Sequence, residues 1–331
     1  MPPEHTAKDD AAEGSTAASL TTGVRQTFVA WCSLLRLPNL LTVPGDPIAG
    51  ALLAASTLGI APDWITIRSC ALTSLGLYSA ALLANDYFDR HLDTVERPER
   101  PIPSGRVRPG PVLGIAVMLT AGALAFAAQA GWPALSVALL LALTSWSYNA
   151  GLKRLPLLGP LLMGACRALS LILGATAIAP SSLLTPTVLI PAATLGLLIA
   201  GITTLARRET ETVNLPVWQP VLPSITVLTG LASVTLVAWT PHGAPHLLSP
   251  TPFTLTLAGM AVVWTTLLAS QLFGSAPPAI VQRNIGGMIR GLVLFQATLC
   301  ATTGPIGGVA ALAILAAFPV TGWLGKCFKG S

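Results

Sequence analysis

Charge is what this sequence has least of. Asp, Glu, Lys and Arg together make up 9% of its 331 residues, while 53% are apolar and the mean hydropathy is +0.70. A soluble globular domain carries about 25% charged residues, so this chain has too few to cover a water-facing surface, and a soluble fold is excluded. Period-2 alternation is also missing: no segments of about ten residues switch between apolar and polar positions, which argues against an outer-membrane barrel. Cys32, Cys70, Cys166, Cys300 and Cys327 are scattered without C-x-x-C spacing. They support neither a metal framework nor a disulfide framework, and free buried thiols are expected. No basic stretch leads into an apolar run at the N-terminus. Residues 1–24, rich in Ala, Thr and Ser with Glu4, Asp9, Asp10 and Glu13, read as a disordered cytoplasmic tail and not as a signal peptide.

Apolar runs are abundant, and at roughly 20 residues each they are long enough to cross about 30 Å of hydrocarbon. Ten such segments lie at about 37–58, 66–88, 110–129, 133–149, 156–179, 186–206, 219–239, 251–273, 286–303 and 305–325. They predict an all-α, polytopic transmembrane bundle of nine or ten helices around one central cavity, forming a single domain over residues 25–331. The tight Thr303-Gly304-Pro305-Ile306-Gly307-Gly308 turn leaves open a re-entrant last piece. Of the 18 basic residues, all but Arg68 and Arg167 fall in the N-terminal region, the even-numbered loops or the C-terminus. By the positive-inside rule those parts face the cytoplasm of a cell-membrane protein. The same placement argues against nucleic acid as the reason for a pI near 9.2; the lipid bilayer is the expected surrounding, and nothing points to a protein partner.

The chemistry concentrates after the second segment. In Asn85-Asp86-Tyr87-Phe88-Asp89-Arg90-His91-Leu92-Asp93, Asn85, Asp89 and Asp93 step by i, i+4 and i+8, and Asp86 joins them within about 100° of the helix circumference. Like charges at i, i+4 destabilise a helix; a divalent cation among them would remove the penalty. Oxygen-only ligands select a hard cation, and Mg²⁺ uses one or two carboxylates plus substrate phosphates. The next stretch, Glu96-Arg97-Pro98-Glu99-Arg100-Pro101-Ile102-Pro103-Ser104-Gly105-Arg106, presents fork-shaped donors for phosphate oxygens on a proline-stiffened loop. Carboxylates, a metal and a rigid arginine loop at a membrane surface suit a lipid-linked diphosphate.

N-D-x-x-D-x-x-x-D followed by R-P-I-P-S-G resembles the first aspartate-rich motif of the UbiA superfamily of intramembrane prenyltransferases, and the likeness extends over about residues 34–325. Tyr148-Asn149-Ala150-Gly151-Leu152-Lys153-Arg154 looks like the family's tyrosine-to-lysine element. The resemblance implies that Asn85, Asp86, Asp89 and Asp93 hold Mg²⁺ on a polyprenyl diphosphate. Arg97, Arg100, Arg106 and Lys153 then neutralise the leaving diphosphate, and a small acceptor captures the allylic centre. The family's second aspartate-rich motif is not matched. Its place reads Thr203-Thr204-Leu205-Ala206-Arg207-Arg208-Glu209-Thr210-Glu211, where Glu209, then Glu211, offers a carboxylate and Arg207 and Arg208 offer charge in place of a metal. In this the chain resembles the EboC-like branch, as it does in Met163–Leu169 and in Asp46 ahead of Ile48-Ala49-Gly50.

Some residues carry two readings. Asp46 and Arg167, ionisable groups inside spans, form either a structural ion pair or part of the acceptor or diphosphate pocket. Asn39 either contacts the aspartate cluster or caps its helix, and Asn149 either reaches the site or lies at an interface. Tyr78 is expected to pack. His91, His242 and His246 lack metal-ligand spacing. Two rival functions stand beside the enzyme: a lipid-diphosphate-binding accessory protein without turnover, which the missing second motif favours, and a secondary transporter, which an absent internal repeat disfavours.

Overall fold

The computed structural model describes residues 27–239 and 251–327. The tail at 1–24, the loop 240–250 with His242 and His246, and Lys329 lie outside the described residues. Residues 27–34 form a short helix, α1. Then come α2 (Leu37–Leu40), α3 (Gly45–Leu58), α4 (Trp64–Glu96), α5 (Pro109–Gln129), α6 (Trp132–Ala150), α7 (Leu158–Ile178), α8 (Pro186–Ala206), α9 (Trp218–Trp239), α10 (Pro252–Ser270), α11 (Pro278–Ala301) and α12 (Pro305–Cys327). Prolines open α5, α8, α10, α11 and α12, where the missing N–H is one that a first turn leaves unpaired in any case. A helix from α3 to α12 answers each of the ten expected segments. Among the described residues, seven of these (α4, α5, α7, α8, α10, α11 and α12) are long and apolar enough to cross a membrane. Both α11 and α12 are among them, so each of the last two segments forms a helix long and apolar enough to cross.

Two boundaries differ from the reading above. The first apolar segment is broken: α2 stops at Leu40, and α3 starts only after Pro44. Proline removes a donor and disfavours a helical residue before it. The segment at 286–303 begins earlier, at Pro278, so Arg283 and Arg290 belong to a helix and not to the loop before it. There Arg283 donates to Gln271 Oε1 at 2.6 Å.

The helix α3 is the hub, touching α4, α7, α8 and α11. Its Gly- and Ala-rich sequence leaves Gly45–Pro47 and Ala49–Ala55 buried, as expected of a helix with no polar face. Small residues let the backbones close up. A Cβ on Gly174 of α7 would lie 1.9 Å from the carbonyl oxygen of Pro47. Gly287 and Gly291 of α11 face Leu268 and Trp264 of α10, whereas Gly114 faces open space.

The exposed Trp64 and Trp132 open α4 and α6 at one end of the bundle, while Trp218 and Trp323 lie at the other. Interfacial tryptophans of this kind mark both membrane surfaces. At α4's N-terminal end the Asp63 side chain caps the helix; the Thr66 hydroxyl and the Ile65 N–H hold its carboxyl below the usual range. At about 1.5 Å per residue α4 runs about 50 Å, longer than the hydrocarbon is thick, and its polar residues from Asn85 to Glu96 are gathered on its last turns. Near those last turns, β1 (Val213–Asn214) pairs antiparallel with β2 (Ser275–Ala276), tying the α8–α9 connection to the α10–α11 connection.

Candidate active site

Asn85, Asp86, Asp89 and Asp93 all lie on the last three turns of α4, one continuous helix as expected. Asp86 and Asp93 are buried, Asn85 and Asp89 half-buried. Each carboxylate meets a cation. Arg100 Nη1 lies 2.8 Å from Asp93 Oδ2 and 3.6 Å from Asp86 Oδ1, so one guanidinium bridges two acids seven residues apart. Arg36 Nη2 approaches Asp86 Oδ1 at 3.5 Å. Lys153 Nζ donates to Asp89 Oδ2 at 2.6 Å and to Asn85 Oδ1 at 2.9 Å. Arg97 caps the C-terminus of α4 through its N–H and sends its guanidinium across to Glu209 Oε1, 3.2 Å away.

Local chain geometry explains these positions. A turn in which the Arg100 N–H bonds the Arg97 carbonyl at 3.0 Å gives one guanidinium to the aspartates and the other to Glu209. Lys153 sits in a 3-10 turn, Leu152–Arg154, and Gly159 permits the start of α7 to pass beneath it; a Cβ there would come within 2.6 Å of the Lys153 carbonyl oxygen. Arg207 fastens the same turn, donating from Nη1 to the carbonyls of Leu155 and Pro156 at 3.0 and 3.2 Å and from Nη2 to that of Arg154 at 3.3 Å.

Not every expected residue is brought to the aspartates. Arg207 directs its donors to that loop. Arg208 pairs outward with Glu211 at 3.6 Å. Arg106 folds back on its own loop, onto Ser104 Oγ and the Glu99 carbonyl. Among the described residues, the side chains of the half-buried Tyr148 and Asn39 have no hydrogen-bond partner. Asn149 donates to the Ala81 carbonyl at 2.9 Å, a helix-to-helix tie.

Arg167 belongs to a separate cluster inside the bundle. Its Nε lies 2.9 Å from Asp46 Oδ2, and Nη2 donates to Asp46 Oδ1 at 3.1 Å. Gln296 Nε2 donates to the same Oδ1 at 2.6 Å, and both side chains also reach the Thr42 carbonyl, Arg167 at 3.1 Å and Gln296 at 2.7 Å. The break between α2 and α3 frees that carbonyl, and in a bilayer a freed backbone group must be satisfied from within the protein. Asp46 and Arg167 do form the expected ion pair.

The sequence reading did not assign Arg36 or Gln296 to a cluster. Arg36 adopts a left-handed backbone at φ 46, the only non-glycine residue with positive φ among the described residues. Such strain persists where surrounding contacts impose it. Its sequence signal was a lone arginine directly before Leu37-Pro38-Asn39. For Gln296 the signal was an amide set in an apolar run.

The donor set fits a hard cation. Asp86 Oδ2, Asp89 Oδ1 and Asp93 Oδ1 take no hydrogen bond from the described residues, which leaves three carboxylate oxygens along one helix face free of hydrogen bonds. Among the described residues no three acids close into a single cage. Mg²⁺ commonly needs only one or two carboxylates when a phosphate completes its shell.

The profile of the UbiA prenyltransferase family matches residues 47–280. Among curated relatives, the digeranylgeranylglyceryl phosphate synthase of Methanothrix thermoacetophila is 35% identical over 137 residues, 39% of this chain and 51% of that protein. The chain spans about half the length of the curated relatives it matches in this way. Two solved structures share the fold at low identity. The apo UbiA homolog from Aeropyrum pernix K1 has a TM-score of 0.59 at 16% identity, covering 80% of this chain and 97% of that one. A UbiA homolog from Archaeoglobus fulgidus bound to DMAPP and Mg²⁺ gives 0.54 at 15%, covering 82% and 98%.

Proposed function

The chain belongs to the UbiA prenyltransferase family, and from that premise we propose that it moves a polyprenyl group from its diphosphate to a small acceptor within the membrane. One observation carries the reading: carboxylate oxygens of Asp86, Asp89 and Asp93 free of hydrogen bonds stand beside Arg36, Arg100 and Lys153 at the C-terminal end of α4. A diphosphate is held there by guanidinium and ammonium donors while its hydrocarbon tail stays among the helices. Bound Mg²⁺ supplies Lewis-acid neutralisation of the departing phosphate oxygens. Asn85, Asp86, Asp89 and Asp93 are its ligands in this reading; the Archaeoglobus fulgidus homolog, bound to DMAPP and Mg²⁺, supports a metal of this kind. The residues act on the leaving group. As the allylic C–O bond breaks, its electron pair departs with the diphosphate, and Arg36, Arg97, Arg100 and Lys153 stabilise the charge that develops. The acceptor's nucleophile bonds the allylic carbon, and its proton passes to the released diphosphate. The Lys153–Asp89 pair orients the ammonium, and Arg207 keeps its loop in place.

The curated relatives, digeranylgeranylglyceryl phosphate synthases, favour a glyceryl-phosphate type of acceptor, and the distribution of basic residues favours the cytoplasmic face of the cell membrane for the site. A second reading, diphosphate binding without turnover, has one observation behind it: Glu209 is already occupied by Arg97. Incubating the purified protein with labelled geranylgeranyl diphosphate, Mg²⁺ and candidate acceptors separates the two. A labelled lipid product, absent when Asp93→Asn replaces the parent, is the expected result. Retention of label as bound diphosphate with no product, across acceptors, favours the binding protein.

A further inference from the structure

Two sets of acids face the loop 97–106, and they differ in what they leave open. On α4, three carboxylates keep one oxygen each free of hydrogen bonds, and the bridging Arg100 is shared, at 2.8 Å and 3.6 Å, between two of them. On the connection after α8 only Glu209 and Glu211 are present, and Glu211 pairs with Arg208 away from the site. Glu209 is held at three points. Its N–H bonds the Ala206 carbonyl at 3.2 Å, its own carbonyl accepts from Gln282 Nε2 at 3.4 Å, and its carboxylate takes Arg97. The β1–β2 pairing anchors the chain just beyond. A divalent cation entering here would find one free oxygen, would have to displace Arg97, and would then lie beside the released guanidinium.

Resting on the prenyl-diphosphate reading above, we propose that this site works with a single divalent cation. The cation sits on the α4 aspartates, and the Arg97 guanidinium, set by Glu209, permanently fills the second cationic position on the diphosphate. Arg97 suits that task because its charge is fixed and its planar fork matches phosphate oxygens. Glu209 is then a positioning residue and not a metal ligand. Because Arg97 and Arg100 share one turn, the diphosphate is gripped from two sides by neighbouring side chains.

Counting Mn²⁺ by electron paramagnetic resonance, in the presence of a slowly reacting geranylgeranyl thiolodiphosphate, tests this directly. One bound Mn²⁺ per chain is expected, and two would overturn the proposal. Glu209→Gln should leave the stoichiometry and Mn²⁺ affinity as in the parent; a drop in either makes Glu209 a ligand and also overturns it. Arg97→Gln should weaken binding of the thiolodiphosphate about tenfold with the Mn²⁺ count unchanged, and unaltered binding would contradict the role given to Arg97. Failure of the analogue to bind the parent at all, with or without Mn²⁺, sinks the prenyl-diphosphate reading and this one with it. Binding with two Mn²⁺ sinks this one alone.

Discussion

Carboxylates and guanidinium groups meet twice in this bundle, on terms that differ. In the interior, Asp46 is fully buried and Arg167 nearly so; both carboxylate oxygens are engaged, and Gln296 and the Thr42 carbonyl complete the cluster. At the end of α4, Asp86, Asp89 and Asp93 each keep an oxygen free of hydrogen bonds, cations are shared, and several contacts are long, at 3.5–3.6 Å. The first arrangement joins α3, α7 and α11, with both Asp46 oxygens close to Arg167. The second is a set of charges with capacity to spare. The pairing of opposite charges is common to both; what separates them is that the interior pair is buried among helices, whereas the pairs at the end of α4 are partly exposed and share their cations.

That contrast can be broken in order of effect. Asp89→Ala removes the partner that orients Lys153 and one metal-facing oxygen; a loss of about 10²–10³-fold in transfer rate is expected, with thermal unfolding in detergent close to the parent's. Arg167→Met should do the reverse. Stranding the buried Asp46 carboxylate costs about 3–5 kcal/mol, read as a lower unfolding midpoint, whereas the double variant Asp46→Leu with Arg167→Met should recover much of it. Gly174→Ala forces a methyl into the Pro47 carbonyl and should cost about 1–3 kcal/mol by the same measurement. Smallest of all, Arg106→Ala should leave transfer near the parent's, because Arg106 is engaged by its own loop; a loss matching that of Arg100→Ala would show that the loop rearranges to bring Arg106 to the substrate.

Local periodicity made much of this legible. Ten apolar runs answer to the helices α3 to α12, the first run broken ahead of α3, and the four polar residues of α4 share a face because helical geometry gives them no alternative. Partners distant along the chain were not legible. Glu209 was a candidate carboxylate in the sequence, but its capture by Arg97, 112 residues away, joins the connections that follow α4 and α8. Arg207 and Arg208 looked equivalent as neighbours, yet one turns to the carbonyls of 154–156 and the other to Glu211. The break between α2 and α3 was signalled by Pro44 and Pro47, but its consequence, a freed carbonyl answered by α7 and α11, was visible only in three dimensions.

On the proposed function, the α4 carboxylates and the cations around them grip a prenyl diphosphate and stabilise its departure. Pyrophosphate release from geranylgeranyl diphosphate by the purified protein, measured with Mg²⁺ and with a chelator, tests it most directly. Release that requires Mg²⁺ and disappears in Asp89→Ala, while Arg106→Ala releases at the parent rate, is the outcome this account predicts. Release by Asp89→Ala at the parent rate would contradict it.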